Sequence, residues 1–128
     1  MKPFPMYLFG GLMILFMLFT SCARKELTQV RTMEILPIPV QAIPDGRYEG
    51  RFTYSNFEYA VEVLVDNHQI TGIRVLQNRI SDYAKKAEEV LEKVVNEQKT
   101  DVEAVTGATT TSKVLLKAVE NALMSAME

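Results

Sequence analysis

The residues with the greatest chemical capacity in this sequence lie together near its end, in Glu103-Ala-Val-Thr-Gly-Ala-Thr-Thr-Thr-Ser112. Hydroxyls on Thr106, Thr109, Thr110, Thr111 and Ser112 surround the small pair Gly107-Ala108, with the carboxylate of Glu103 just ahead. Such a set holds an anion when it stands at the head of a helix. The first turn there has unpaired N–H groups and the positive end of the dipole, so a phosphate fits. Gly107 lets the backbone approach a ligand closely or take a positive φ. The same residues also make an ordinary turn followed by an N-cap, with Thr111 or Ser112 as the capping side chain. Thr106-Gly-Ala-Thr109 alone does not separate the two readings. No Rossmann-type glycine fingerprint, metal-spaced Cys/His cluster or Ser/His/Asp set accompanies it, so no catalytic residue and no metal ligand is assigned.

The elements that must position this stretch are legible from hydrophobic period. Directly after the hydroxyls, Val114, Leu115, Ala118, Val119, Ala122, Leu123 and Ala126 form one helical stripe, which places the cluster at a helix N-terminus. Upstream, Ala84, Ala87, Val90, Leu91, Val94 and Val95 form a second stripe, with Ser81 or Asp82 as its cap. The Lys/Glu run between these positions, including Lys85, Lys86 and Lys93, reads as a solvated face. Before Gln77 the period is two. Tyr48, Gly50, Phe52 and Tyr54 alternate with Arg47, Glu49, Arg51 and Thr53, and after a turn at Ser55-Asn56 the same pattern runs from Phe57 to Asp66. Asp66-Asn-His-Gln69 is a hairpin turn, with His68 exposed on it, and Ile70 to Leu76 is a third strand interrupted by Gly72. The expected fold is α+β: an antiparallel β-meander with two amphipathic helices packed on one face. The aromatics Tyr48, Phe52, Tyr54, Phe57 and Tyr59 are assigned to the core of this small sheet, with flanking of a planar ring as the other reading.

The N-terminus belongs to a different class of sequence. Met1-Lys-Pro3 leads into an almost uncharged run from Met6 to Phe19, followed by Thr20-Ser-Cys22. The run is shorter than the roughly 20 apolar residues of a spanning helix and suits a signal peptide. Phe19-Thr-Ser-Cys22 resembles the lipobox of bacterial lipoproteins, with Phe19 where Leu is usual. Cys22 is the only cysteine, so it has no intrachain disulfide partner. The expected organisation is a lipoprotein signal peptide over residues 1–21, a lipidated tether over 22–44 and a domain over 45–128. Pro37, Pro39 and Pro44 keep the end of the tether extended. Whether its apolar residues Ile35, Leu36, Ile38, Val40 and Ile43 lie against the domain stays open. Removing residues 1–21 takes away only Lys2, which leaves 13 basic against 16 acidic side chains. That balance gives no reason to expect a nucleic-acid partner.

With both ends of the domain in view, the sequence resembles the FMN-binding domain family. The family is found in the C subunit of the sodium-translocating NADH:quinone oxidoreductase, the G subunit of the Rnf complex and small exported lipoproteins. Two stretches carry the resemblance: Asp45-Gly-Arg-Tyr-Glu-Gly50 at the first strand, and Glu103-Ala-Val-Thr-Gly-Ala-Thr109 with Thr111-Ser112 and the Ala/Leu-rich helix after it. The resemblance implies FMN as cofactor, held at Glu103, Thr106, Gly107, Ala108, Thr109, Thr110, Thr111 and Ser112. It also implies a phosphoester on Thr109 made by a separate flavin transferase. Glu103 stands where the family usually carries Asp. The segment Asn78-Arg-Ile-Ser-Asp-Tyr83 has no glycine where many members have a glycine-containing loop, which leaves Arg79 or Tyr83 to take over contacts with the ring.

The function this implies is an exported, membrane-anchored flavoprotein that carries electrons between an unknown donor and an unknown acceptor. A flavin-dependent extracytoplasmic reductase, and a binding or structural lipoprotein with the same fold but no flavin, are the alternatives. The localisation reading has a direct check. Wild-type protein should incorporate labelled fatty acid, whereas Cys22→Ser should remain an unprocessed, unlabelled precursor. Equal labelling of the two would exclude lipidation at Cys22.

Overall fold

Both two-residue turns that break the period-two pattern adopt the left-handed backbone that tight hairpins require. Ser55 and Asn56 have φ of 51° and 61°, and Asn67 and His68 have φ of 51° and 59°, the signs of a turn whose twist matches that of the flanking strands. In the computed structural model, which describes residues 29–128, these turns join β1 (Gly46–Tyr54), β2 (Phe57–Asp66) and β3 (Gln69–Gln77). The sheet is antiparallel with the order β1-β2-β3. β3 carries an extra residue at two places, since Val61 pairs with Val75 while Ala60 pairs with Gln77, and Val65 pairs with Ile70 while Leu64 pairs with Gly72. Three helices follow: α1 (Asp82–Ala87), α2 (Glu89–Glu97) and α3 (Thr109–Ala126). The class is α+β, with the helices packed on the sheet.

The chain divides into two units, Met1–Thr32 and Met33–Glu128. The signal-peptide reading of residues 1–21, Cys22 and the start of the tether lie outside the described residues. Among those described, no helix is long and apolar enough to cross a membrane.

In the second unit, Tyr59, Val61, Val63 and Val65 of β2 are buried beneath the helices. The opposite face is charged: Arg51 bonds Glu49 and Glu58, and Arg74 lies 3.2 Å from Glu62. Of the five aromatics assigned to the core, only Tyr59 is fully buried. Tyr48, Phe52, Tyr54 and Phe57 are half-exposed, the first three because β1 is an edge strand whose outer flank is left uncovered.

The helix expected after Gln77 comes as two segments, broken at Glu88. Asn78 Nδ2 donates to the Ala84 carbonyl at 3.0 Å and to Glu88 Oε2 at 3.1 Å. With its α-helical acceptor engaged by Asn78, the Glu88 N–H donates to Lys85 O and Lys86 O. The apolar stripe runs through the break, and Ala84, Ala87, Val90, Leu91 and Val94 are all buried. Ser81, not Asp82, caps α1, its Oγ accepting from Ala84 N at 3.1 Å.

The question left open for the proline-rich segment is decided by tertiary contacts. Ile35, Ile38, Val40 and Ile43 are buried. The backbone is fixed by Thr100 Oγ1, which accepts from Ile38 N at 3.1 Å and donates to Leu36 O. Glu120 Oε2 accepts from Leu36 N at 3.3 Å, and its carboxylate is neutralised by Lys117 Nζ at 2.9 Å.

α3 lies directly on β1 because Gly50 has no side chain. A methyl group there would overlap the Ala118 carbonyl oxygen and stand 2.5 Å from Ala122 N, both of them helix backbone. Asn121 Nδ2 ties the same helix to Arg51 O at 2.8 Å. Full burial of one Leu or Val contributes about 1.5–3 kcal/mol, so α3 docks by Val114, Leu115, Val119 and Leu123, and Gly50 sets how deep it sits. Gly50→Ala should therefore destabilise the domain by about 1–3 kcal/mol or more. Gly72→Ala is the control, since a methyl group there meets only Leu64 Cδ1 at 3.7 Å. Chemical denaturation of the two variants checks this, and equal midpoints would refute the close-contact argument.

Candidate functional site

The hydroxyl cluster is held by the segment between α2 and α3. α2 ends at Gln98 in the left-handed conformation, φ 55° and ψ 43°. Its side chain closes on β3 backbone, accepting from Ile70 N at 2.8 Å and donating to Ile70 O at 2.7 Å. From there Val102, Val105 and Ala108 point inward and are buried, while Glu103, Thr106 and Gly107 are exposed. The Ala108 N–H donates to Val105 O at 2.9 Å and Gly107 has φ +83°. A turn closed in this way, with a left-handed third residue, is of the type II kind that selects glycine there.

Ser112 completes the arrangement. Its Oγ is buried and accepts from Val105 N at 3.1 Å, so both the N–H and the C=O of Val105 are engaged at the base of the turn. The N-cap of α3 is Ala108, and no side chain caps it. This corrects the capping role expected for Thr111 or Ser112. Ser112 lies inside the helix and fixes the preceding loop, because it is the one hydroxyl of the row that faces the core. Thr106 was expected to bond within the turn. It is exposed and makes no hydrogen bond to the described residues. Thr109, Thr110 and Thr111 are half-buried in the first turn.

Two lysines assigned to a solvated face border the same turn. Lys93 Nζ donates to Glu103 O at 3.3 Å. Lys86 Nζ stands 3.6 Å from where a side chain on Gly107 would begin. They come from the two segments on either side of the break at Glu88, seven residues apart in the sequence; that spacing is the available signal, and their charge alone gives none.

The structure brings Glu103, Thr106, Gly107, Ala108, Thr109, Thr110, Thr111 and Ser112 into one contiguous turn and helix start, with Ser112 turned inward and the Glu103 side chain exposed. Arg79 and Tyr83 have different surroundings. Arg79 is committed to the end of the sheet, its Nε 2.9 Å from the Tyr59 hydroxyl, its Nη2 3.2 Å from Ser55 O and its guanidinium 4.5 Å over the Phe57 ring. Tyr83 is 72% exposed and shares a face of α1 with Lys86, three residues on. His68 is exposed on its turn, with Nδ1 3.0 Å from Ile43 O. A groove between β3 and the first helices, lined by Ile73, Val75, Lys85, Leu91 and Val95, contains none of the motif residues.

An uncapped helix start behind a glycine turn, with hydroxyls around it and an ammonium group beside it, fits the phosphate end of a nucleotide-like cofactor on a small α+β domain. The model of the FMN-binding domain family matches residues 55–124, and the chain belongs to that family. It is a flavin-binding protein whose cofactor is FMN. The match includes the turn and nearly all of α3, and leaves out all of β1 with Asp45-Gly-Arg-Tyr-Glu-Gly50. A comparison with curated proteins finds none that is significantly similar to the chain.

The Ser112 contact can be tested by itself. Ser112→Ala leaves a buried N–H of Val105 without an acceptor, which costs about 1–3 kcal/mol. Hydrogen exchange should show faster opening of residues 103–108, with β2 protected as in wild type. Unchanged exchange in the loop would show that Ser112 does not hold it.

Proposed function

We infer that the protein is an exported, membrane-anchored electron carrier whose FMN is esterified through its phosphate to Thr109. The observation that carries this reading is the position of Thr109: first residue of α3, half-buried, directly after the Gly107 turn, with no side-chain cap competing for the helix start. The N–H groups and dipole of that turn favour a phosphate by about 0.3–1 kcal/mol. Each 1.4 kcal/mol changes affinity about tenfold, so this attraction alone does not retain a cofactor in dilute surroundings. A covalent bond does.

Bound FMN supplies electron transfer singly or in pairs, and the protein's part is to place and tune the ring. Thr109 Oγ provides the oxygen of the ester. Its proton would leave to a base, a new P–O bond would form to the flavin phosphate, and the anhydride P–O bond of an activated donor would break, with the donor's other phosphate departing as the leaving group. A threonine hydroxyl is a weak nucleophile at neutral pH, so the base and the activated donor come from a flavin transferase. Thr106 and Gly107 form the exposed side of the turn, Ser112 keeps it in place, and the exposed Glu103 carboxylate offers the transferase a recognition point. Tyr83 is the aromatic with a face free for a planar ring. Residues 22–32 then act as the spacer from a lipid on Cys22.

Denaturing electrophoresis under ultraviolet light tests the attachment. Protein co-expressed with a flavin transferase should give a fluorescent band in wild type and Thr110→Ala and none in Thr109→Ala. A band that persists in Thr109→Ala but vanishes in Thr110→Ala or Thr111→Ala moves the acceptor. Flavin lost from every variant on denaturation leaves a non-covalent carrier.

A further inference from the structure

Of the lysines near the motif, one has its ammonium group directly over the glycine turn. Lys93 holds Glu103 O, Lys117 neutralises the buried carboxylate of Glu120, and Lys85 lines the groove beside β3. Lys86 makes no hydrogen bond or ion pair with the described residues. Yet its ammonium nitrogen stands over Gly107, 3.6 Å from the position of a first side-chain atom. We propose that Lys86 is the counter-ion of the FMN phosphate at the head of α3, an assignment that rests on the flavin reading above.

Three features support it. Gly107 is exposed and in the left-handed region, so no side chain stands between the Lys86 ammonium and the turn backbone. Lys86 comes from α1 while the hydroxyls and N–H groups come from α3, so the two elements close on the turn from different sides. The charge also balances. A phosphate diester, the form produced on Thr109, carries one negative charge and meets one ammonium. Lysine serves phosphate as a point charge and needs no bidentate geometry. Because Lys86 is exposed, its contribution is screened by salt over about 8–10 Å.

The experiment compares FMN with riboflavin, which lacks the phosphate. Full chain produced without transferase is titrated with each by flavin fluorescence, and the rate of covalent labelling by FMN donor and transferase is followed in parallel. Lys86→Gln should weaken FMN binding or slow labelling about tenfold at low salt. Lys86→Arg should restore most of it, and riboflavin binding should not change. Lys85→Gln alters the net charge equally and should have no effect. The difference between wild type and Lys86→Gln should shrink as salt rises. Equal FMN binding and labelling by wild type and Lys86→Gln overturns the assignment, as does a parallel loss of FMN and riboflavin, which would mark a structural role. A wild type that neither binds FMN nor becomes labelled overturns the flavin reading itself, and the assignment with it.

Discussion

The position of α3 over the sheet depends on the contact between Gly50 and the helix backbone at Ala118 and Ala122. No side chain intervenes there, so the helix lies closer to β1 than any other residue at position 50 would allow. That contact determines more than stability. α3 carries Ser112 and Thr109 at its head, and the same rigid body carries Glu120 near its tail. A helix displaced outward by even a methyl group would shift the anchor of the motif loop and the acceptor of the proline-rich segment together, because close-packed interiors transmit displacement instead of absorbing it.

The buried polar side chains of this domain show what that rigid body is used for. Among the described residues they are Thr100, Ser112 and Glu120, and each binds the backbone of a segment without regular structure. Thr100 and Glu120 hold residues 36–38, and Ser112 holds Val105. Irregular backbone inside a protein has N–H and C=O groups that no ladder satisfies, and burying them unpaired is costly. Here no buried side-chain nitrogen or oxygen among the described residues lacks a partner. The polar core is therefore devoted to fixing irregular segments, one of which is the turn at the candidate site.

A rigid turn with an exposed tip suits a cofactor held by its phosphate. The tip is exposed, while its base at Val105 is held by the helix it precedes. Lys86 and Lys93 of the first helices bring ammonium groups to this segment, and Asn78 takes the Ala84 carbonyl out of the helical ladder.

Much of this was legible in the sequence because it depends on local period and local chemistry. The alternation from Tyr48 to Val65, the positive-φ turns at Ser55-Asn56 and Asn67-His68, and the stripes of the later helices each follow from neighbours in the chain. The family likeness of Glu103 to Ser112 is local too, and the family match bears it out. What the sequence left undetermined depends on partners far away in the chain. The burial of Ile35, Ile38 and Ile43 depends on Thr100 and Glu120. The break at Glu88 depends on Asn78, and the exposed edge of Phe52 and Tyr54 on which strand ends the sheet. The inward turn of Ser112, where a cap was expected, depends on Val105 reaching it from the loop. Period and propensity fix which residues can face inward. Only the packed structure decides which backbone group each buried oxygen will meet, because that meeting is set by the distance between elements and by no residue's own preference.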